Sequence, residues 1–424
     1  MVPARAAKRI GAPPAEHALT GACRGRAAPV YNGRVNRPLL VIFLTILVNL
    51  IGFGIIIPLL PFYSQALGAS PLVIGLLFAS FSLAQLVAGP ILGDLSDRWG
   101  RRPVLLLSLL GTAASFTLLA VARSVAVLFL ARIVDGLSGG NISTARAYIG
   151  DITREEDRAR GFGLIGAAFG LGFILGPALA AGLGHIGYSA PAWAAAALAL
   201  GAAGLAWRWL PETVHRVAAG RGAPWRALPG LLRHPRLGPL LFIDLTFWSA
   251  QAIYQTTFAL FGARRFGFGV PQTGALLAGV SALGVVVQVG FVGPVVRLLG
   301  EWRALALGLL LAAVGLGTAA ASHTLGVLLL GLLPAGTGIA LAIPSLTSLL
   351  SRTADPQTQG RVQGVASALE SLGRTVGPVW GNGTLQAAGE GAAFGSGAVV
   401  MGALAAAVWA TQQAARRERA RAWR

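Results

Sequence analysis

Between Arg37 and Asp94 the chain carries no charged side chain, a run of 56 residues. A helix of about 20 apolar residues spans a hydrocarbon core, so this run is long enough for two crossings. Apolar segments of similar length recur down the chain, at residues 39–60, 71–92, 104–122, 125–149, 161–184, 190–210, 238–262, 273–296, 303–321, 325–350, 362–386 and 393–413. Gly and Pro are frequent inside them, as transmembrane helices tolerate. Only 12% of residues are charged, against roughly 25% in soluble domains. The expectation is an all-α membrane protein with twelve transmembrane helices.

Charge distribution sets the orientation. With the N-terminus placed in the cytoplasm and loops assigned alternately, outward loops hold only Arg123, Arg264 and Arg265, while Arg132, Arg146 and Arg374 fall within helices. The other 28 of the 34 Lys and Arg residues are then cytoplasmic, as the positive-inside rule requires. Both termini are expected inside, in an inner (plasma) membrane. A net charge of +19 would suit nucleic acid if the basic residues were clustered. Spread through short loops, they fit a membrane face, and no nucleic-acid partner is expected. Cys23, the only cysteine, excludes an intramolecular disulfide or a cysteine metal centre. Residues 1–36 are polar and lack the apolar region of a secretory signal. They read either as a disordered cytoplasmic tail or as the product of a misassigned start.

The longest internal loop, 211–236, is polar and basic, and divides the chain into six-helix halves at 37–210 and 237–415, with a basic tail at 416–424. The halves echo each other. Gly93 and Gly100 match Gly293 and Gly300 at an offset of 200, and Gly172, Gly176 and Pro177 match Gly373, Gly377 and Pro378 at 201. A duplicated six-helix unit implies a transporter with its substrate site between the repeats.

Three motifs stand out. The loop between the second and third helices reads Gly93-Asp94-Leu-Ser-Asp97-Arg98-Trp-Gly100-Arg101-Arg102. Its glycines permit a tight connection, and its two acids sit among three arginines. The fourth helix carries Arg132-Ile-Val-Asp135-Gly-Leu-Ser-Gly-Gly. The fifth carries Gly166, Gly170, Gly176-Pro177 and Gly182, small residues at spacings that let helices pack closely. Together these closely resemble the signatures of the major facilitator superfamily, over nearly the whole chain after residue 36. The resemblance is greatest to twelve-helix drug/proton antiporters of the tetracycline-resistance type, to which Asn36-Arg37-Pro38-Leu39, Ile57-Pro58-Leu-Leu-Pro61 and Tyr148-Ile-Gly-Asp-Ile-Thr153 also conform. The resemblance implies that the Asp97 loop closes a cytoplasmic gate in the outward-open state, and that the fifth-helix glycines accompany export. Read without it, the loop is a set of surface ion pairs worth little each. Tetracycline exporters carry acids inside helices 1, 3 and 9, where this chain has Asn49, Ser115 and Ala312, so those proton carriers do not transfer.

The chain has acids of its own within the spans: Asp135, Asp244 and Glu370. An ionised group at mid-bilayer costs roughly 2.5–3.5 kcal/mol on insertion scales, so each needs water or a partner. Arg132 and Asp135 are three apart and Glu370 and Arg374 four apart, spacings that share a helix face. Either the pairs simply neutralise each other, or a carboxylate alternates between a proton and its arginine, which makes all these residues proton-coupling candidates. Asp244, Trp248, Gln251 and Gln255 form one stripe of the seventh helix. It reads as a cavity wall for an amphiphilic, often cationic ligand, or as interhelical hydrogen bonds. Tyr254 lies off that stripe, toward lipid or the interface. Asn49 and Gln85 are further cavity candidates.

There is no Walker-type loop, the sole lysine being Lys8, so ATP coupling within this chain is unsupported. The Gly136-x-Ser138-x-Gly140 pattern lies inside a membrane helix rather than at the strand-to-helix turn a hydrolase needs. No enzyme activity, cofactor or metal is expected. The function expected is proton-coupled efflux of a drug-like amphiphile by alternating access, from a monomer whose partners are a small-molecule substrate, protons and the lipid bilayer. Transport of a metabolite such as a sugar, or a non-transporting sensor or scaffold, are the alternatives.

Overall fold

A computed structural model describes residues 37–139, 141–153, 157–213, 227–355 and 358–422. They form fifteen helices: α1 Arg37–Ala66, α2 Pro71–Trp99, α3 Arg101–Ala120, α4 Val125–Ser138, α5 Asn141–Ile152, α6 Arg158–Leu183, α7 Ser189–Trp209, α8 Leu228–Leu232, α9 Leu237–Phe266, α10 Val270–Gly290, α11 Val292–Leu299, α12 Glu301–Ala320, α13 Leu325–Thr353, α14 Gln359–Ala388 and α15 Glu390–Ala422. Ten helical segments among the described residues are long and apolar enough to cross a membrane, α4 and α5 together counting as one. The 30-residue helices α9 and α14 pack among them and are long enough to span. They are less apolar because they carry Asp244, Glu370 and Arg374.

The helix boundaries make the repeat plain. α1 and α9 begin and end 200 residues apart, as do α3 and α12. Gly100 before α3 and Gly300 before α12 both take positive φ, 105° and 79°, a backbone region that costs glycine little. Ser124 and Thr324, again 200 apart, cap α4 and α13 by accepting from the N–H of Val127 and Val327. Such caps satisfy N-terminal donors that have no partner within the helix.

The contacts between halves repeat as well. Gly75 of α2 lies against Pro378 of α14, where a Cβ would stand 3.0 Å from the proline carbonyl carbon. Gly274 of α10 lies against Pro177 and Ala181 of α6, where a Cβ would stand 3.0 Å from the Ala181 nitrogen. Leu72 N–H donates to Gln386 Oε1 at 3.0 Å. All these contacts lie at the ends of α2, α6, α10 and α14 remote from the 93–102 loop. On the loop side, Gly89, Gly93, Gly290 and Gly293 have no neighbour within 4 Å of an added Cβ. Close backbone approach between the halves at these glycines is found on the far side.

Candidate coupling and substrate sites

Loop side of the first half. Arg101 is the hub of the 93–102 motif. It donates to Asp97 at 2.5 Å and Ser96 at 2.7 Å of α2 and to Asp151 of α5 at 3.3 Å. Arg98 and Asp94 form a separate, more exposed pair at 2.9 Å. Glu155 and Glu156 lie outside the described residues. The sequence places Glu212 only in a polar linker. In the structure it accepts from the backbone N–H of Arg101 at 2.8 Å and of Arg102 at 3.1 Å. It thus caps α3 from 110 positions away, through the positive end of the helix dipole. Tyr148 donates to the Pro211 carbonyl at 2.9 Å and Thr213 to Asp151 at 3.2 Å, fastening the start of the linker to the same cluster. An acid three residues past Trp209, the last residue of α7, was the available signal. The second half has an acid here too: Glu301 accepts from Ser348 at 2.5 Å and pairs with Arg352 at 3.1 Å.

The fourth helix. Arg132 and Asp135 are 1% and 5% exposed and joined at 2.8 Å. The guanidinium carbon lies 4.3 Å from the Phe81 ring centroid, while Nε and Nη2 have no hydrogen-bond partner among the described residues. The pair is sealed inside the first half. Gln85 donates to the Gly139 carbonyl at 3.1 Å, where the break between α4 and α5 frees backbone groups. It serves there as an interhelical tie.

The glycines of α6 divide. Gly172 and Gly176 press on α1, where a Cβ on Gly176 would stand 2.6 Å from the Ile51 carbonyl oxygen. Pro177 packs on Gly54, and Gly170 faces Val285 of α10. Gly166 and Gly182 have open space instead, so close packing, expected for all of them, is not what these two provide.

Second half. Asp244 is 3% exposed, with Oδ2 unpartnered. Trp248 lies one helical turn on, at i+4 on the same face of α9. Arg374 stacks on the Trp248 ring at 5.0 Å and meets Glu370 at a loose 3.8 Å. Gly373 lets α14 approach α9 here: a Cβ would stand 2.9 Å from Trp248 Cβ. Asp244, Trp248, Glu370 and Arg374 thus form one cluster across α9 and α14, which the sequence shows only as two separate elements. Gln251 is buried with Oε1 unpartnered; Gln255, on the same stripe, and Asn49 of α1 are half-buried. Tyr254 faces neither lipid nor interface. It is buried, with its ring against Phe258 and Phe394 and its hydroxyl unpartnered.

A bundle of membrane-crossing helices in two repeated halves, with charged side chains buried inside it, has the organisation of a membrane transporter. The profile of the Major Facilitator Superfamily matches residues 42–378. Tetracycline resistance protein, class C, of Escherichia coli is 35% identical over 355 residues, covering 81% of this chain and 88% of that protein. Tetracycline resistance protein, class G, of Vibrio anguillarum is 36% identical over 351 residues, covering 80% and 88%. The crystal structure of the human organic anion transporter MFSD10 (TETRAN) superposes with a TM-score of 0.68 at 27% identity, covering 88% of this chain and 99% of that one. The chain belongs to the major facilitator superfamily of small-molecule transporters.

Proposed function

We propose that this transporter expels a drug-like amphiphile of tetracycline type in exchange for protons, by alternating access. The halves 37–210 and 237–415 rock about their far-side contacts, joined by the 211–236 linker, within a plasma membrane and as a monomer. On the positive-inside rule, both termini and the 93–102 loop lie in the cytoplasm. The observation that carries alternating access is the symmetric pair of contacts, Gly75 on Pro378 and Gly274 on Pro177. Two equivalent glycine-on-backbone contacts form a hinge line about which the halves part on one side. Efflux of a tetracycline-like substrate rests on the relatives above.

The coupling and substrate sites are assigned to the α9–α14 cluster. A carboxylate beside an aromatic face suits a ligand with a cationic and an apolar part. A carboxylate that is poorly solvated and next to an arginine changes its proton affinity as that arginine moves. Asp244 is buried and Glu370, half-buried, pairs loosely with Arg374, with Trp248, Gln251 and Gln255 as substrate contacts. Arg132 and Asp135, already paired and sealed, neutralise each other.

Uptake into everted membrane vesicles energised by a pH gradient tests the reading, with tetracycline, a cationic dye and an organic anion as probes. Accumulation of tetracycline that a protonophore abolishes is expected. Its absence, in vesicles holding abundant folded protein, would overturn the substrate assignment.

A further inference from the structure

The two far-side contacts match in backbone but not in side-chain chemistry. Pro378 of α14 and Pro177 of α6 are 201 positions apart, and so are Asn382 and Ala181, each four residues further on. Both face the glycine of the opposite half in the same way. A Cβ on Gly75 would stand 3.1 Å from Asn382 Cβ, and one on Gly274 would stand 3.1 Å from Ala181 Cβ. The seam of α2 on α14 therefore encloses a primary amide where the seam of α10 on α6 encloses a methyl group.

That amide is only half satisfied. Asn382 is fully buried. It donates to the Pro378 carbonyl at 2.9 Å and to Thr256 Oγ1 of α9 at 3.3 Å. The Thr256 hydroxyl spends its own proton on the Ala252 carbonyl at 2.7 Å, so both neighbours are acceptors and both must face the amide nitrogen. This fixes the orientation of the amide and leaves Oδ1 without a partner among the described residues. A buried acceptor without a donor loses its hydration and gains nothing in return. One turn on, Gln386 accepts from the Leu72 N–H across the same seam at 3.0 Å, a first-turn donor with no partner inside α2. The other seam is built differently. Gln272, 200 positions after Leu72, accepts instead from the Gly269 N–H at the start of its own helix at 3.0 Å, and Gly184 meets the Val270 side chain. Thr273 of α10 is also buried with its hydroxyl unpartnered, but it lies about 100° around the helix from Gly274, off the line of that seam.

We propose that the far side opens unevenly: α2 parts from α14 while α10 stays on α6 as the hinge, and Asn382 sets that bias. The inference rests on the alternating-access reading above. Closed, the α2–α14 seam strands the Asn382 oxygen. Parted, it admits water to Asn382, to Gln386 and to the Leu72 N–H. Parting α10 from α6 would wet apolar surface instead, which the hydrophobic effect opposes. Substrate released on the far side leaves along the α2–α14 seam.

Distances between paired nitroxide labels test this without any substrate, so the outcome is independent of the drug assignment. Cys23, the only native cysteine, is replaced by Ser. Cysteines at Leu76 and Ala387 carry labels across the α2–α14 seam, and cysteines at Ala275 and Ile186 across the α10–α6 seam; all four side chains are exposed. Double electron–electron resonance on protein in lipid nanodiscs should give one distance across α10–α6, and a second, longer one across α2–α14. Asn382→Leu keeps the branched shape and removes the stranded oxygen. It should cut the longer population at least about fivefold relative to the shorter, and Asn382→Ala should act in the same direction. Ala181→Asn should bring a longer population to the α10–α6 pair. Equal longer populations at both pairs would overturn the proposal and leave alternating access standing. So would a longer α2–α14 population that both Asn382 substitutions leave unchanged. A single short distance at both pairs, in protein that elutes as a folded monodisperse peak, would overturn the alternating-access reading as well.

Discussion

Replacing Asp135 by Asn asks whether the α4 pair neutralises itself or carries protons. Arg132 is 1% exposed, holds one oxygen of Asp135 at 2.8 Å and leaves Nε and Nη2 without partners. Removing one member of a buried ion pair costs about 3–5 kcal/mol, because the remaining charge is stranded. Two features favour the low end. Asn keeps an oxygen that accepts from the guanidinium, and the Phe81 ring at 4.3 Å contributes about 0.5–2 kcal/mol as a cation–π partner. A net loss of about 2–3 kcal/mol is expected, a factor of roughly thirty to a hundred and fifty in the local folding equilibrium. Replacing both residues with apolar ones, Arg132→Met with Asp135→Leu, removes the stranded charge. Such replacements range from neutral to about 1–4 kcal/mol stabilising. Thermal midpoints of detergent-solubilised protein, followed by fluorescence-detected size exclusion, should therefore rank the double variant at or above wild type and Asp135→Asn clearly below both. An Asp135→Asn protein as stable as wild type but dead in proton-driven transport would refute the reasoning, and would make Asp135 a proton carrier.

Further outcomes follow from other contacts. Asp97→Ala should lower vesicle transport at unchanged membrane abundance, because Arg101 keeps Ser96 and Asp151 as partners; equal loss of abundance on immunoblots would indicate a folding role. Glu212→Ala should destabilise by about 1 kcal/mol, the usual worth of a helix cap, seen as a modest fall in thermal midpoint. Gly176→Val, pressed between α1 and α6, should cut folded yield severely through overpacking of about 1–3 kcal/mol or more, whereas Gly75→Val, at the contact between halves, should fold normally and lose transport. Tyr254→Phe should leave thermal midpoint unchanged or slightly raised, since it removes a buried hydroxyl without a partner.

The membrane setting, the helical class and the duplication were legible in the amino-acid sequence alone. These follow from local facts, since a charge-free run of 56 residues has no stable place but lipid, and paired glycines 200 residues apart record a repeated backbone. It also located the intramembrane charges, because an ion in an apolar segment is conspicuous wherever the helix packs. Pairs on one helix were legible for the same reason: Arg132 with Asp135 and Glu370 with Arg374 follow from helical spacing alone. Only the tertiary structure decided which of those charges share a site. Arg374 of α14 lies over Trp248 of α9 because Gly373 brings the two helices close, and nothing in the order of residues fixes that approach. Glu212 capping α3 and Tyr254 turned into an aromatic core are likewise contacts between distant segments. Helical periodicity gives the face a side chain occupies. What that face meets depends on how the neighbouring helices pack, and in a protein that rocks it also depends on which side is open.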